Sequence, residues 1–147
     1  MGFRPIGYIC NMAVLFATNV MMYNERKLHE HVQRIIMNPI LLVGMQDILS
    51  AEFLFAPIVH GDHWWCYCVK LKSMEFFVFD SLGHSRKNRT RIENYIKPSF
   101  EVQCVDTPIQ PNGRDCGVLV LKFIEMWDGV SKFDGKAWLT TLLRSYN

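Results

Sequence analysis

Residues His63 to Asp80 read HWWCYCVKLKSMEFFVFD, two runs rich in aromatic and branched residues, His63 to Leu71 and Glu75 to Asp80. That composition suits a pleated, half-buried surface, and the short polar break between the runs suits an antiparallel hairpin turning at Lys70 to Ser73. A turn centred between Leu71 and Lys72 pairs Trp65 with Val78 and sets His63 opposite Asp80. Opposed side chains on one face lie about 4.5–5.5 Å apart at Cβ. An aspartate at that distance can accept the Nδ1 proton of the imidazole and leave the other ring nitrogen to take a proton from a nucleophile. Alone, the pair reads equally well as a surface histidine and a strand-end aspartate, because a one-residue slip would separate them.

Upstream, Phe53 to Val59 is a further strand candidate, with Pro57 placing it towards an edge or a bulge. Before it, Tyr8, Met12, Leu15, Phe16 and Met22 recur at helical spacing, and Leu28 to Met37 reads as a second helix ended near Asn38-Pro39. Downstream, Lys87 to Lys97 is charged with Ile92, Tyr95 and Ile96 on one side, a surface helix stopped by Pro98. Its basic cluster Arg86-Lys87-Arg89-Arg91 reads as a solvated face. Phe100 to Val105 is a fourth strand candidate, followed by a turn-rich loop from Pro108 to Arg114. Asp115 can N-cap a helix to about Trp127, stopped by Asp128-Gly129, in which only Lys122 and Glu125 are clearly polar. Such a helix belongs in the centre of the fold. A short helix around Lys136 to Leu143 closes the chain. Helices at both ends with strands between them predict an α+β fold, a mixed or antiparallel sheet of about four to five strands packed on the Asp115–Trp127 helix.

The chain has 147 residues, half of them apolar, 13% aromatic and 20% charged, which suits one globular domain spanning 1–147. Its formal charge of +2 gives no argument for nucleic acid. Met12 to Met22 is interrupted by Thr18 and Asn19 and leads into Glu25-Arg26-Lys27, so it reads as neither a membrane span nor a signal peptide. Ile6 stands where myristoylation needs Ser or Thr. The five cysteines, at 10, 66, 68, 104 and 116, are odd in number without disulfide-rich spacing, which suits a reducing compartment, nucleus or cytoplasm.

Cys116 falls in the first turn of the central helix, where the dipole and free N–H groups stabilise a thiolate. Gly117 beside it would let a substrate backbone approach. The plainer reading is a small buried cysteine, but the helix position, the glycine and the preceding loop coincide. Gln110 in that loop can, with the backbone N–H of Cys116, donate to the oxyanion of a tetrahedral intermediate. A competing metal site at His60, His63, Cys66 and Cys68 fits poorly. On a strand, Cys66 and Cys68 share one face and His63 the other, and Cys-x-Cys is not the usual zinc spacing.

Taken in order, His63-Trp64, then Phe79-Asp80-Ser81-Leu82, then Gln110-Pro111-Asn112-Gly113-Arg114-Asp115-Cys116-Gly117 resemble the cysteine proteases specific for ubiquitin-like proteins, the SUMO-protease or Ulp-type family. The similarity runs from about Ala56 to Trp127, and Phe76 to His84 resembles plant members. The resemblance implies a papain-like fold of the SUMO-protease type. It implies catalytic roles for His63, Asp80, Gln110 and Cys116, and a place for Trp64 over a narrow channel that admits a Gly-Gly tail. By the same resemblance the chain is a peptidase or isopeptidase without metal or other cofactor. It would be a monomer whose partner is SUMO or another ubiquitin-like protein, with no nucleic acid or membrane involved. No tryptophan precedes Trp64, where the family usually has one, and the chain reads as lacking part of the family's N-terminal region. The rival reading is therefore a shortened copy that holds a ubiquitin-like protein without cutting it.

Overall fold

The computed structural model describes residues 11–37, 45–83, 87–110 and 115–129. The elements in chain order are α1 (Asn11–Leu28), β1 (Arg34–Ile36), α2 (Met45–Ser50), β2 (Phe53–His60), β3 (His63–Lys70), β4 (Glu75–Phe79), α3 (Lys87–Ile96), β5 (Val102–Cys104) and α4 (Cys116–Met126). The strands form one five-stranded sheet in the order β1-β2-β3-β4-β5. Its two outer pairs are parallel and its two inner pairs antiparallel. The fold is thus α+β with a mixed sheet. The expected closing helix, Lys136 to Leu143, lies outside the described residues.

Alternation along the strands decides which helix covers which face. Trp64, Cys66, Cys68, Phe77 and Phe79 point to the side of α1 and α4, where they join Phe53, Phe55, Leu119, Val120, Phe123 and Trp127 in the main core. The intervening Trp65, Tyr67 and Val78 point to the opposite side and pack with Ile92 of α3. Each large apolar side chain so buried contributes about 1.5–3 kcal/mol. Trp127, just past α4, is fully enclosed, with its ring centroid 4.7 Å from Phe77 and 4.9 Å from Phe79. The helix stops at Trp127, and Gly129 beyond it takes the positive φ of 96° that side chains rarely adopt.

Arg34 ties this end of α4 to the far edge of the sheet. Its guanidinium donates to the carbonyls of Ile124 at 2.8 Å and Trp127 at 2.6 Å, satisfying C-terminal helix acceptors and complementing their negative potential.

Three local expectations are corrected. Leu28 to Met37 is not a second helix, because α1 continues through Glu25-Arg26-Lys27 to Leu28 and Arg34–Ile36 then joins the sheet as β1. Both Ile35 and Ile36 are buried, as a parallel strand covered on two faces requires. The β3–β4 register differs by two residues, pairing Tyr67 rather than Trp65 with Val78, because the connection is the four-residue turn Leu71–Met74. Met74 closes that turn with φ 54°. On α3, Tyr95 faces solvent while Arg89 is buried, so Arg89 is not part of a solvated basic face.

Pro57 behaves as its chemistry demands. Phe53 N–H donates to Gln33 and Met37 N–H donates to the Phe55 carbonyl, so the odd residues of β2 face β1. Pro57, which has no N–H, comes two residues after β1 has stopped pairing.

Candidate active site

His63 opens β3 directly after the two-residue turn Gly61-Asp62, across which His60 and His63 are paired. Gly61 has φ 60° while Asp62 does not take a positive φ, the pattern of a turn with glycine at its first central position. This turn brings chain from the sheet to the first turn of α4, where the Cys116 thiol donates to the Asp62 carbonyl at 3.5 Å. Cys116 thereby comes close enough for its charge to act on the His63 imidazole, which is stacked on Trp65 with ring centroids 5.9 Å apart and planes 21° apart.

Asp80 leaves the end of β4 in a turn that its own side chain shapes. Oδ1 accepts from the Leu82 N–H at 3.0 Å, an Asx-turn, and the Gly83 N–H donates to the Asp80 carbonyl at 3.1 Å. Gly83 sits at φ 108°, which explains glycine there. Oδ1 also lies 2.8 Å from Nε2 of His63, and Oδ2 lies 3.3 Å from Nη1 of Arg89. The nitrogen facing the carboxylate is therefore Nε2, not the Nδ1 expected from the sequence. The two-residue register change keeps both side chains on one face, so they meet diagonally.

Electrostatics follow from this packing. Burial pulls the His63 imidazole towards neutrality, but the hydrogen bonds and charges of Asp80 and Cys116 outweigh it and push the pKa up to about 9. Burial alone would raise Asp80, yet the His63 hydrogen bond, the Leu82 N–H and the charges of His63 and Arg89 hold it below the ordinary carboxylate value. At neutral pH the two form an imidazolium–carboxylate pair.

Gln110 is buried and fixed next to this pair. Its N–H donates to the Ser81 carbonyl at 2.8 Å, while the Ser81 hydroxyl donates to its Oε1 at 2.5 Å. That engages the carbonyl end of the amide, whose other end, Nε2, is a donor. Residues 111–114 of the loop to Cys116 lie outside the described residues. Asp115 occupies the N-cap position of α4 but makes no side-chain cap bond, contrary to expectation.

Trp64 and Gly117 lie side by side where β3 meets α4. A Cβ built on Gly117 would lie 3.1 Å from Cγ2 of Val14 and 3.5 Å from Cδ1 of Trp64. The structure therefore gives Gly117 a packing role, letting α1 and the Trp64 indole close onto α4. Cys66 and Cys68 are buried in the core, where burial pushes both thiols well up and away from ligand chemistry.

Residues 21–128 match the Ulp1 protease family, C-terminal catalytic domain. The chain belongs to that family. It is 25% identical over 92 residues to the NEDD8-specific protease 1 of Schizosaccharomyces pombe, a match spanning 53% of this chain and 22% of that protein. Among solved structures, a de-sumoylating protease superposes with TM-score 0.57 at 21% identity, covering 80% of this chain and 62% of the other. The Ulp1 protease domain in complex with Smt3, the yeast ortholog of SUMO, gives 0.58 at 17%, covering 82% and 66%. At such identities the likeness is one of fold, and in each case the chain spans less than two thirds of the matched protein.

Three parts of this Ulp1-family site escaped the sequence reading. Gly61-Asp62 carried a usable signal, a Gly-x pair between strands. Ser81 was quoted but given no task. Arg89 carried no local signal at all, since a basic residue among other basic residues on a polar helix reads as solvated until the helix is laid on the sheet.

Proposed function

We propose that this Ulp1-family chain is a thiol peptidase or isopeptidase that cleaves after the Gly-Gly tail of a ubiquitin-like modifier, with SUMO the first candidate and NEDD8 the second. The observation that carries the reading is the convergence of His63, held at 2.8 Å by Asp80, with Cys116, whose thiol meets the carbonyl of Asp62, the residue before His63. The names of the similar proteins support the substrate class, one being NEDD8-specific and another bound to a SUMO ortholog.

In this reading the proton of Cys116 already rests on His63, and the sulfur of the resulting thiolate attacks the carbonyl carbon of the terminal glycine. The oxyanion that forms is met by Nε2 of Gln110 and the N–H of Cys116 at the start of α4. The imidazolium then protonates the leaving amine as the C–N bond breaks, giving a thioester. A water deprotonated by the same imidazole hydrolyses it and restores the thiolate and the imidazolium. Asp80 holds the imidazole in place and stabilises its charged form. Trp64 would border the channel for the tail, which admits only residues without side chains. Such a thiol stays reduced in the nucleus or cytoplasm.

The test is reaction with SUMO and with NEDD8 carrying a C-terminal electrophile, followed by intact mass. The expected result is a single covalent adduct for the wild type with one of the two and none for Cys116→Ser, which should still bind the unmodified modifier. Absence of an adduct with both modifiers would reject the substrate class. An adduct on Cys116→Ser would reject the nucleophile.

A further inference from the structure

Arg89 is a charged side chain only 4% exposed, and α3 aims it at the back of the site. The two oxygens of Asp80 are treated differently. Oδ1 is shared by Nε2 of His63 and the Leu82 N–H, whereas Oδ2 meets Nη1 of Arg89. A carboxylate bound through one oxygen can still turn about its Cβ–Cγ bond. A donor on the second oxygen fixes its plane.

The guanidinium also forms an ion pair. Nε of Arg89 lies 3.4 Å from Oε1 of Glu93, one turn along α3, and the Tyr67 hydroxyl of β3 donates to the same oxygen at 3.3 Å. The charge of Glu93 holds the rigid planar guanidinium against α3 while Nη1 donates to Asp80. The groups form a row of alternating charge from His63 through Asp80 and Arg89 to Glu93, closed by Tyr67.

Resting on the reading of Cys116 as nucleophile, we propose that Arg89 is a positioning residue for the reaction: anchored by Glu93, it locks the Asp80 carboxylate and thereby the imidazole that Asp80 orients. Its action is indirect. The Arg89 charge bears on Asp80, while the groups acting on His63 are Asp80 and Cys116. A residue that merely pinned α3 to the sheet would change stability and leave the chemistry of the thiol alone.

The experiment compares wild type, Arg89→Gln, Arg89→Lys and Glu93→Gln by two readouts. One is kcat and KM on SUMO and NEDD8 bearing a fluorogenic C-terminal amide. The other, which needs no substrate, is the pH profile of Cys116 alkylation by iodoacetamide, followed on the Cys116 peptide by mass spectrometry. In Arg89→Gln kcat should fall roughly tenfold at unchanged KM, and the low-pH limb of alkylation should move to higher pH as the imidazolium loses its fixed partner. Arg89→Lys keeps the charge but cannot bridge Asp80 and Glu93, so both effects should be smaller, and Glu93→Gln should resemble it. A folded Arg89→Gln with the wild-type alkylation profile and kcat overturns the proposal. If Arg89→Gln does not fold, an unmoved profile and unchanged kcat in folded Arg89→Lys and Glu93→Gln overturn it instead. Should the wild type turn over neither modifier while the profile still moves with Arg89, the substrate reading fails and the positioning role stands.

Discussion

His63 and Asp80 are hydrogen bonded at 2.8 Å from diagonal positions of the β3–β4 ladder. One step beyond the last pair, Cys66 with Phe79, the residue opposite Asp80 would be Trp65. Trp65 instead stacks beneath the imidazole, so the diagonal geometry gives His63 both a flat support and an acceptor at its edge. Diagonal neighbours are about 7–8 Å apart at the backbone, within reach of an imidazole and a carboxylate that lean towards each other.

Replacing Asp80 by Asn keeps this shape and removes the charge. The amide can present its NH2 to Nε2 and hold the imidazole in the wrong tautomer, and the imidazolium loses its counter-ion. In Asp80→Asn, kcat on a SUMO or NEDD8 amide should fall by about 10²–10⁴, with KM little changed, because neither residue is expected to grip the modifier. Wild-type turnover would show that Asp80 only ends a strand.

The same pair predicts how stability depends on pH. His63 is raised from 6.5 to about 9, so its contribution is complete below 6.5 and is lost as pH rises through about 9. Asp80 is lowered from 3.8, so its contribution is present above 3.8 and is lost as pH falls through the lower folded value. The melting temperature of wild type relative to Asp80→Asn should therefore be highest between these limits and fall on both sides. A difference that stayed constant from acid to alkaline pH would contradict the ion pair.

The fold and the site were readable to different depths, for physical reasons. Alternation of apolar residues fixed which faces of β3 and β4 meet, so His63 and Asp80 came out on one side despite the wrong register. Parity survives a two-residue slip. The register depends on the turn, and nothing in Leu71-Lys72-Ser73-Met74 announces that Met74 takes a positive φ. Leu28, Val32, Ile35 and Ile36 satisfy helical spacing, and only the parallel pairing with Phe53–Phe55 makes Arg34–Ile36 a strand. That pairing is long-range and invisible to a local pattern. Arg89 fails for the same reason, since its partner is set by how α3 lies on the sheet.

Gly117→Ala tests the packing beside Cys116. The added Cβ would press on Val14 at 3.1 Å, tighter than ordinary contact. Overpacking costs about 1–3 kcal/mol, and the helix propensity gained over glycine returns at most about 1 kcal/mol, so a net loss of stability in urea is expected. In a Val14→Ala background the loss should shrink, because the colliding Cγ2 is gone. Additive losses in the double mutant would place the strain elsewhere.

Ser81 and Gln110 give a prediction that depends on the orientation of a single amide. Gln110 is held at its backbone by the Ser81 carbonyl and at Oε1 by the Ser81 hydroxyl, and Nε2 is the end of the amide that donates. Gln110→Ala removes that donor and should lower kcat by about 10²–10³. Ser81→Ala leaves the backbone bond intact and frees the amide to turn, presenting its carbonyl oxygen to a developing negative charge for part of the time. Its kcat should therefore fall by less than in Gln110→Ala, with KM unchanged. The decisive measurement is the double mutant. If Ser81 acts by orienting Gln110, removing the hydroxyl after the amide has gone should cost nothing further. Losses that multiplied would show that Ser81 acts on its own, through the turn that carries Asp80 rather than through the amide.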